Sequence, residues 1–256
     1  MGVFATYIGT ASVLLEIDGL QLLTDPVFDP PGKRYSLGFG TSSVKLIGPA
    51  LPAEALPPID AILLSHDEHA DNLDSAGRAL LPKVGKVLTT QGGGRRLGGN
   101  AVGLAAWETS EIARGETRLR VTATPARHGW KWSLPIVGEV IGFSLEGASL
   151  RGPLYIAGDT VRFTGTSEVA KRLKPRLAFL HMGKVGFGIT GPLRYTMSAQ
   201  SAAAFAGELG AEIIVPIHFE GWTHFREGRA EAEAAFNAAG LGPRVRWLTP
   251  GVRTAL

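Results

Sequence analysis

Directly behind the short apolar run Ala61–Ser65 the chain places His66-Asp67-Glu68-His69-Ala70-Asp71-Asn72, with Asp74 close behind. This crowding of imidazoles and carboxylates constrains the fold more than any other stretch. A buried strand that ends in such a loop delivers its polar side chains to one point on a sheet rim, a setting that suits zinc, iron or manganese. Three further apolar runs end the same way. His128 follows Thr122–Thr124 and Pro125, Asp159 follows Leu154–Ala157 and Gly158, and His218 follows Ile213–Ile217. A single histidine at a strand end is ordinarily structural or on the surface. Four strands each delivering a His or Asp at the C-terminal side point instead to a metal site, in a fold that gathers those ends together.

The remaining pattern indicates what kind of fold that is. Val3–Ile8, Ser12–Ile17 and Leu20–Thr24 read as strands, with Asp18-Gly19 as a hairpin turn between the last two. The Gly-, Pro- and Ser-rich segment Lys33–Pro58 reads as a long surface loop near the site mouth. A helix is expected to begin over Asp74–Leu80, followed by strands at Lys83–Thr90, Thr117–Thr124, Val140–Leu145 and Leu154–Ala157. Gln91-Gly92-Gly93-Gly94-Arg95-Arg96 lacks the Lys-Ser/Thr ending of a phosphate loop and reads as a turn. In the last third, Leu177–His181 and Ile213–His218 are strands. Ser198 caps an Ala-rich helix that stops at Gly210, Glu227–Ala239 is a second helix, and Arg244–Leu248 is a final strand. Strands first and crossover helices later predict one α/β layered domain over residues 1–256.

Composition narrows the chemistry. The chain has 256 residues and no cysteine, which removes disulfides, thiolate zinc sites, iron–sulfur clusters and cysteine nucleophiles. A reducing compartment, the cytoplasm, is the expectation. The apolar runs are strand-sized, so no transmembrane segment is expected, and no signal-peptide pattern opens the chain. Met1–Thr6 fits a myristoylation pattern but runs straight into a strand-like segment. The net charge is +3 with scattered basic residues, so a nucleic-acid partner is not expected.

The ordered set of motifs resembles the metallo-β-lactamase superfamily, in the branch that contains ascorbate-6-phosphate lactonase and N-acyl-phosphatidylethanolamine phospholipase D. The opening of that branch corresponds to Tyr7-Ile8-Gly9-Thr10-Ala11 and Leu23-Thr24-Asp25-Pro26, with Thr10 where a His is usual. The superfamily's His-x-His-x-Asp-His motif falls on His66–Asn72. Read without a gap, it puts Glu68 at the second His, Ala70 at the Asp and Asp71 at the last His. Read with a one-residue insertion, His66, His69 and Asp71 match and only the final His is changed, to Asn72. The second register keeps Leu73-Asp74 aligned and is preferred.

The resemblance implies a four-layer αββα sandwich and a metal-dependent hydrolase acting on a small-molecule lactone, ester or phosphodiester. His66, His69 and His128 would hold one ion, and Asp71, Asp159 and His218 a second, so one or two divalent ions are implied. Zinc comes first, with manganese, iron or nickel open. Asp71 would orient the attacking water or protonate the leaving group. Glu68 and Asp67 are candidates to hydrogen-bond the ligand imidazoles, with a solvated loop acid as the other reading of Glu68. His181 and His224 are placed near substrate, Trp222 and Glu220 along the pocket, and Trp130 and Trp132 as an apolar wall. Asn72 is a poor zinc ligand, which motivates the alternative of a divergent binding protein that keeps the fold without turnover. Oligomeric state is left open.

Overall fold

The computed structural model describes residues 2–38 and 40–256. Its first strands form an antiparallel meander of β1 (Val3–Gly9), β2 (Ser12–Ile17) and β3 (Leu20–Thr24). Asp18 and Gly19 both take positive φ in the turn that joins β2 to β3, as a two-residue hairpin loop of the right twist demands. A small hairpin follows, β4 (Arg34–Ser36) with β5 (Ser42–Val44). Strand β6 (Ala61–Leu63) then lies parallel to β3. Helix α1 (Ser75–Arg78), strand β7 (Lys86–Thr90), helix α2 (Gln91–Leu97) and strand β8 (Ala101–Leu104) continue the sheet in parallel.

The second sheet opens with β9 (Thr109–Arg114) and β10 (Thr117–Pro125), followed by α3 (Leu134–Val137), β11 (Ile141–Gly147) and β12 (Leu154–Ile156). Helix α4 (Thr164–Leu173), strand β13 (Leu177–His181), helix α5 (Ala199–Leu209) and strand β14 (Ile213–Ile217) extend it. After α6 (Arg229–Ala238) the chain returns to the first sheet, where β15 (Arg253–Ala255) pairs with β1. The strand orders are β15-β1-β2-β3-β6-β7-β8 and β14-β13-β12-β11-β10-β9.

Side-chain alternation sorts these elements into four layers. Ala61 and Leu63 of β6 face the other sheet while Ile62 faces outward; Leu177 and Phe179 of β13 face inward while Ala178 and Leu180 face outward. The central core joins Leu15, Leu22 and Leu63 to Phe143, Phe179 and Val215. Helices α5 and α6 cover the second sheet through Phe205 and Phe236, and Leu73 and Leu81 cover the first. Each such Leu or Phe contributes roughly 1.5–3 kcal/mol by leaving water. The result is the helix–sheet–sheet–helix arrangement expected from the sequence. Among the described residues no helix is long and apolar enough to cross a membrane.

Three expectations need correction. Gln91–Arg96 is not a turn but most of helix α2, capped by the Thr90 hydroxyl, which accepts from Gly93 N–H. Its glycines serve close packing, since a Cβ on Gly94 would lie 2.6 Å from the backbone nitrogen of Gly103 on β8. The segment Lys33–Pro58 is not a plain loop; it holds the β4–β5 hairpin, and Ser43 and Lys45 are buried. Arg244–Leu248 is not a strand, because only Val245 bridges to Ile214, and the terminal strand is β15.

Strands β10 and β12 both run antiparallel to β11, while β13 and β14 run parallel to β12. All four therefore end on the same rim, where His128, Asp159, His181 and His218 stand at or just beyond the strand ends.

Candidate metal centre

His66, His69 and His128 converge there, one nitrogen from each lying within 4.8 Å of the others. The orientation of each ring has a visible cause. His128 Nδ1 lies 2.8 Å from the Tyr195 carbonyl; donating to it leaves Nε2 as a bare lone pair. His66 Nδ1 sits 3.0 Å from Ser65 Oγ, which turns Nε2 inward. Those two Nε2 atoms lie 3.0 and 3.1 Å from His69 Nδ1. Burial holds all three imidazoles below their ordinary pKa, His128 down to about 3. They are neutral at pH 7, with lone pairs facing one another, which is the state a metal requires.

Asp71, Asp159 and His218 form a second group with the same spread. His218 Nε2 lies 3.4 Å from Asp71 Oδ2 and 3.3 Å from Asp159 Oδ2. Burial pushes Asp159 up to about 6. Burial also works against a charged His218, yet the carboxylates of Asp159 and Asp71 outweigh it and raise the imidazole to about 9. Both Asp159 oxygens and His218 Nε2 are buried with no hydrogen-bond partner among the described residues. Buried polar atoms left without a hydrogen bond are costly, and a cation held between these three side chains would satisfy them. A nitrogen-rich group beside an oxygen-rich one suits divalent cations, and the residues fit such an ion.

Backbone strain marks the rim as well. His218 takes a positive φ of 58°, a region that costs a β-carbon residue about 1–3 kcal/mol. Its N–H donates to the Thr10 carbonyl at 2.7 Å, and Thr10 Oγ1 accepts from Trp222 Nε1 at 3.2 Å. Thr10, standing where the resemblance leads one to expect a His, thus helps hold His218 in place through its backbone.

The loop geometry matches the register with the insertion: His69 and Asp71 enter the two groups, whereas Glu68 and Ala70 enter neither. Glu68 and Asp67 were candidates to bond the ligand imidazoles. Instead both turn to Arg96, whose Nε donates to Asp67 Oδ2 at 3.0 Å. Asn72 is fully buried, and its amide donates to Asp25 Oδ2 at 3.3 Å and Ser65 Oγ at 3.4 Å. Asp25 Oδ1 accepts the Ser65 N–H at 2.6 Å, and His181 Nε2 lies 3.4 Å from Asp25 Oδ2. His181 is thus sealed behind the groups, its ring 5.6 Å from that of His218, and does not line the cavity in front of them.

His224 does reach the cavity. Its Nε2 lies 2.9 Å from Asp71 Oδ2, its Nδ1 2.5 Å from Ser43 Oγ, and its ring stacks on Phe187. Trp222 packs against Tyr35 instead of lining the cavity, and Glu220 is also outside it. Trp132 forms part of the wall, whereas Trp130 lines a neighbouring groove. Ser43 and Tyr195 carried no signal in the sequence, whereas Asp25 stood in the Leu23-Thr24-Asp25-Pro26 motif without its role as acceptor for Ser65 and Asn72 being legible. The cavity itself has a volume of about 340 Å³ and opens on His69, Asp71, His128 and His224.

Comparison with known proteins gives a consistent set of likenesses. Residues 21–219 match the model of the Beta-lactamase superfamily domain, a span that includes every member of both groups. An N-acyl-phosphatidylethanolamine-hydrolyzing phospholipase D 1 from Caenorhabditis elegans is 29% identical over 62% of this chain, though the match spans only 47% of that relative. A metal-dependent hydrolase from Ignicoccus hospitalis is 25% identical over 96% of this chain and 94% of its own. The crystal structure of an isothiocyanate hydrolase from Delia radicum gut bacteria shares the fold, with a TM-score of 0.82 over 99% of both chains at 22% identity.

Proposed function

Because the chain belongs to the metallo-β-lactamase superfamily, we propose that it is a metal-dependent hydrolase acting on a lactone, ester or phosphodiester. The observation that carries this reading is the pair of buried donor groups opening on one cavity. His66, His69 and His128 would hold one divalent ion, and Asp71, Asp159 and His218 a second. Such an ion, when bound, lowers the pKa of a water toward ~7 and polarises the bond under attack.

The chain's own groups supply the rest. Ser65 Oγ and the Tyr195 carbonyl fix the His66 and His128 rings. Asp71 presents a carboxylate to the cavity, steadied by His224, where it can orient a water or return a proton to the leaving group. Apolar walls keep bulk water from competing.

Asn72 is the one observation that favours the second reading, a binding protein that keeps the fold without turnover. A panel of lactones, esters and phosphodiesters assayed with zinc, manganese, iron and nickel separates the two. Hydrolysis by the wild type that falls by about 10²-fold or more in His128→Ala supports the enzyme. Full activity in that variant removes the proposed site, and no turnover with any metal favours the binding protein.

A further inference from the structure

Across one wall of chain from the cavity lies a groove of about 410 Å³, and the two share no lining residue. Part of that wall is a pair of adjacent segments. Lys184 N–H donates to the Met197 carbonyl, and Tyr195 N–H donates to the Val185 carbonyl. Along them the side chains alternate: Val185, Leu193 and Tyr195 line the cavity, whereas Lys184, Arg194 and Thr196 line the groove. The loop after β10 divides in the same way, with His128 on the cavity side and Arg127, Gly129 and Trp130 on the other.

The groove is cationic. Arg127, Arg162, Lys184 and Arg194 line it, and among the described residues no Asp or Glu does so. Two of the four charges are met: Arg162 pairs with Glu208, and Lys184 Nζ pairs with Glu227 at 2.7 Å. The other two are not. The Arg127 guanidinium lies 4.7 Å over the Phe163 ring, and Arg194 Nη1 donates to the carbonyls of Gly191 and Leu193, which carry no charge. Among the described residues neither arginine pairs with a carboxylate, and the Nε atoms of both are buried without a hydrogen-bond partner. Half-buried charges left in this state are costly, and each guanidinium offers a planar fork suited to phosphate oxygens. Ser198 and Ser201, at the start of α5, add hydroxyls and the positive end of an eleven-residue helix. Glu227 accepts the Ala199 N–H there at 2.6 Å but lies outside the groove lining. The remaining surface is apolar, made by Val161, Pro192, Met197 and a Trp130 that is 55% exposed.

We infer that this groove is a second ligand site, for a phosphate monoester carried on a flat apolar group. Two unneutralised guanidinium groups match the dianion that a monoester forms near neutral pH, whereas a carboxylate leaves one of them unmet. Trp130, Val161 and Met197 give the flat group a surface to lie on. The site stands whether or not the metal centre turns over a substrate. A bound ligand also bridges the two segments that hold His128. Arg127 directly precedes that residue, and Arg194 precedes Tyr195, whose carbonyl faces His128 Nδ1.

Isothermal titration with 1-naphthylmethylphosphonate in mildly alkaline buffer tests the site, because the probe is a dianion there and its carbon–phosphorus bond resists hydrolysis. The wild type is expected to bind it, about tenfold or more tightly than 1-naphthylacetate, a monoanion of similar size. Arg127→Ala and Arg194→Ala should each lose about tenfold or more in affinity, while His66→Ala, which dismantles the metal centre, retains it. Trp130→Ala should weaken the phosphonate about fivefold and leave inorganic phosphate unaffected. Should the arginine variants fold poorly, Ser201→Glu sets a carboxylate against the dianion at a helix start that tolerates acids, and the same loss is expected. No binding by the wild type, equal binding of the carboxylate, or affinity unchanged in the folded groove variants overturns the inference. So does affinity lost in His66→Ala but kept in both arginine variants, which assigns the probe to the metal centre.

Discussion

At the scale of residues, Asn72 is the informative position. It stands where the resemblance expects a final histidine, and its amide is spent on Asp25 and Ser65 behind the donor groups. Asn72→His is therefore expected to raise the number of ions retained per chain, read by inductively coupled plasma mass spectrometry on the purified protein. An unchanged metal content in a folded variant would place position 72 outside the second group's reach. The six residues singled out from the sequence do come together, because each stands at the end of an apolar run and the strand direction carries it to the rim. Tyr195 and Ser43 were illegible for a physical reason. Tyr195 acts on His128 through a backbone carbonyl that any residue possesses, and Ser43 meets His224 across a large sequence separation.

At the scale of elements, legibility followed burial. Continuous apolar runs such as Leu177–His181 were read to the residue, whereas the edge strands β8 and β9, with exposed and glycine-containing faces, left little pattern. Helix α4 was missed too, since its sequence is mixed and its packing comes from α5. Two predictions test how elements are joined. A Cβ on Gly77 of α1 would lie 1.9 Å from the Pro26 carbonyl oxygen, so Gly77→Ala should destabilise by about 3 kcal/mol or more, seen as a lowered Tm. A wild-type Tm in that variant would contradict the close contact.

Asp29 ties the segment after β3 to α1 and β4. Burial alone would raise its pKa, but the Tyr35 hydroxyl, the Ala76 N–H and the Lys33 ammonium hold it at about 2. A depressed carboxylate stabilises the fold above its unfolded pKa, and that contribution disappears as pH falls from about 4 toward 2. Asp29→Asn should then cost about 1–2 kcal/mol near pH 7 and almost nothing near pH 2, where urea melts of the two proteins should converge. A gap that stays constant with pH would exclude this linkage.

At the scale of the whole molecule, two sheets packed face to face bring loops distant in sequence onto one rim. Strand β6 of the first sheet and strands β10, β12 and β14 of the second lead into the residues that form the two donor groups. We propose that this rim binds metal for hydrolysis. Metal content measured together with ester hydrolysis tests it most directly, in wild type and in His66→Ala, after purification in zinc- or manganese-supplemented buffer. About one or more ions per wild-type chain are expected, lost with the activity on chelation and in the variant, and restored to the wild type by added metal. Fewer than about 0.3 ions per wild-type chain, or hydrolysis that survives complete chelation, would contradict it.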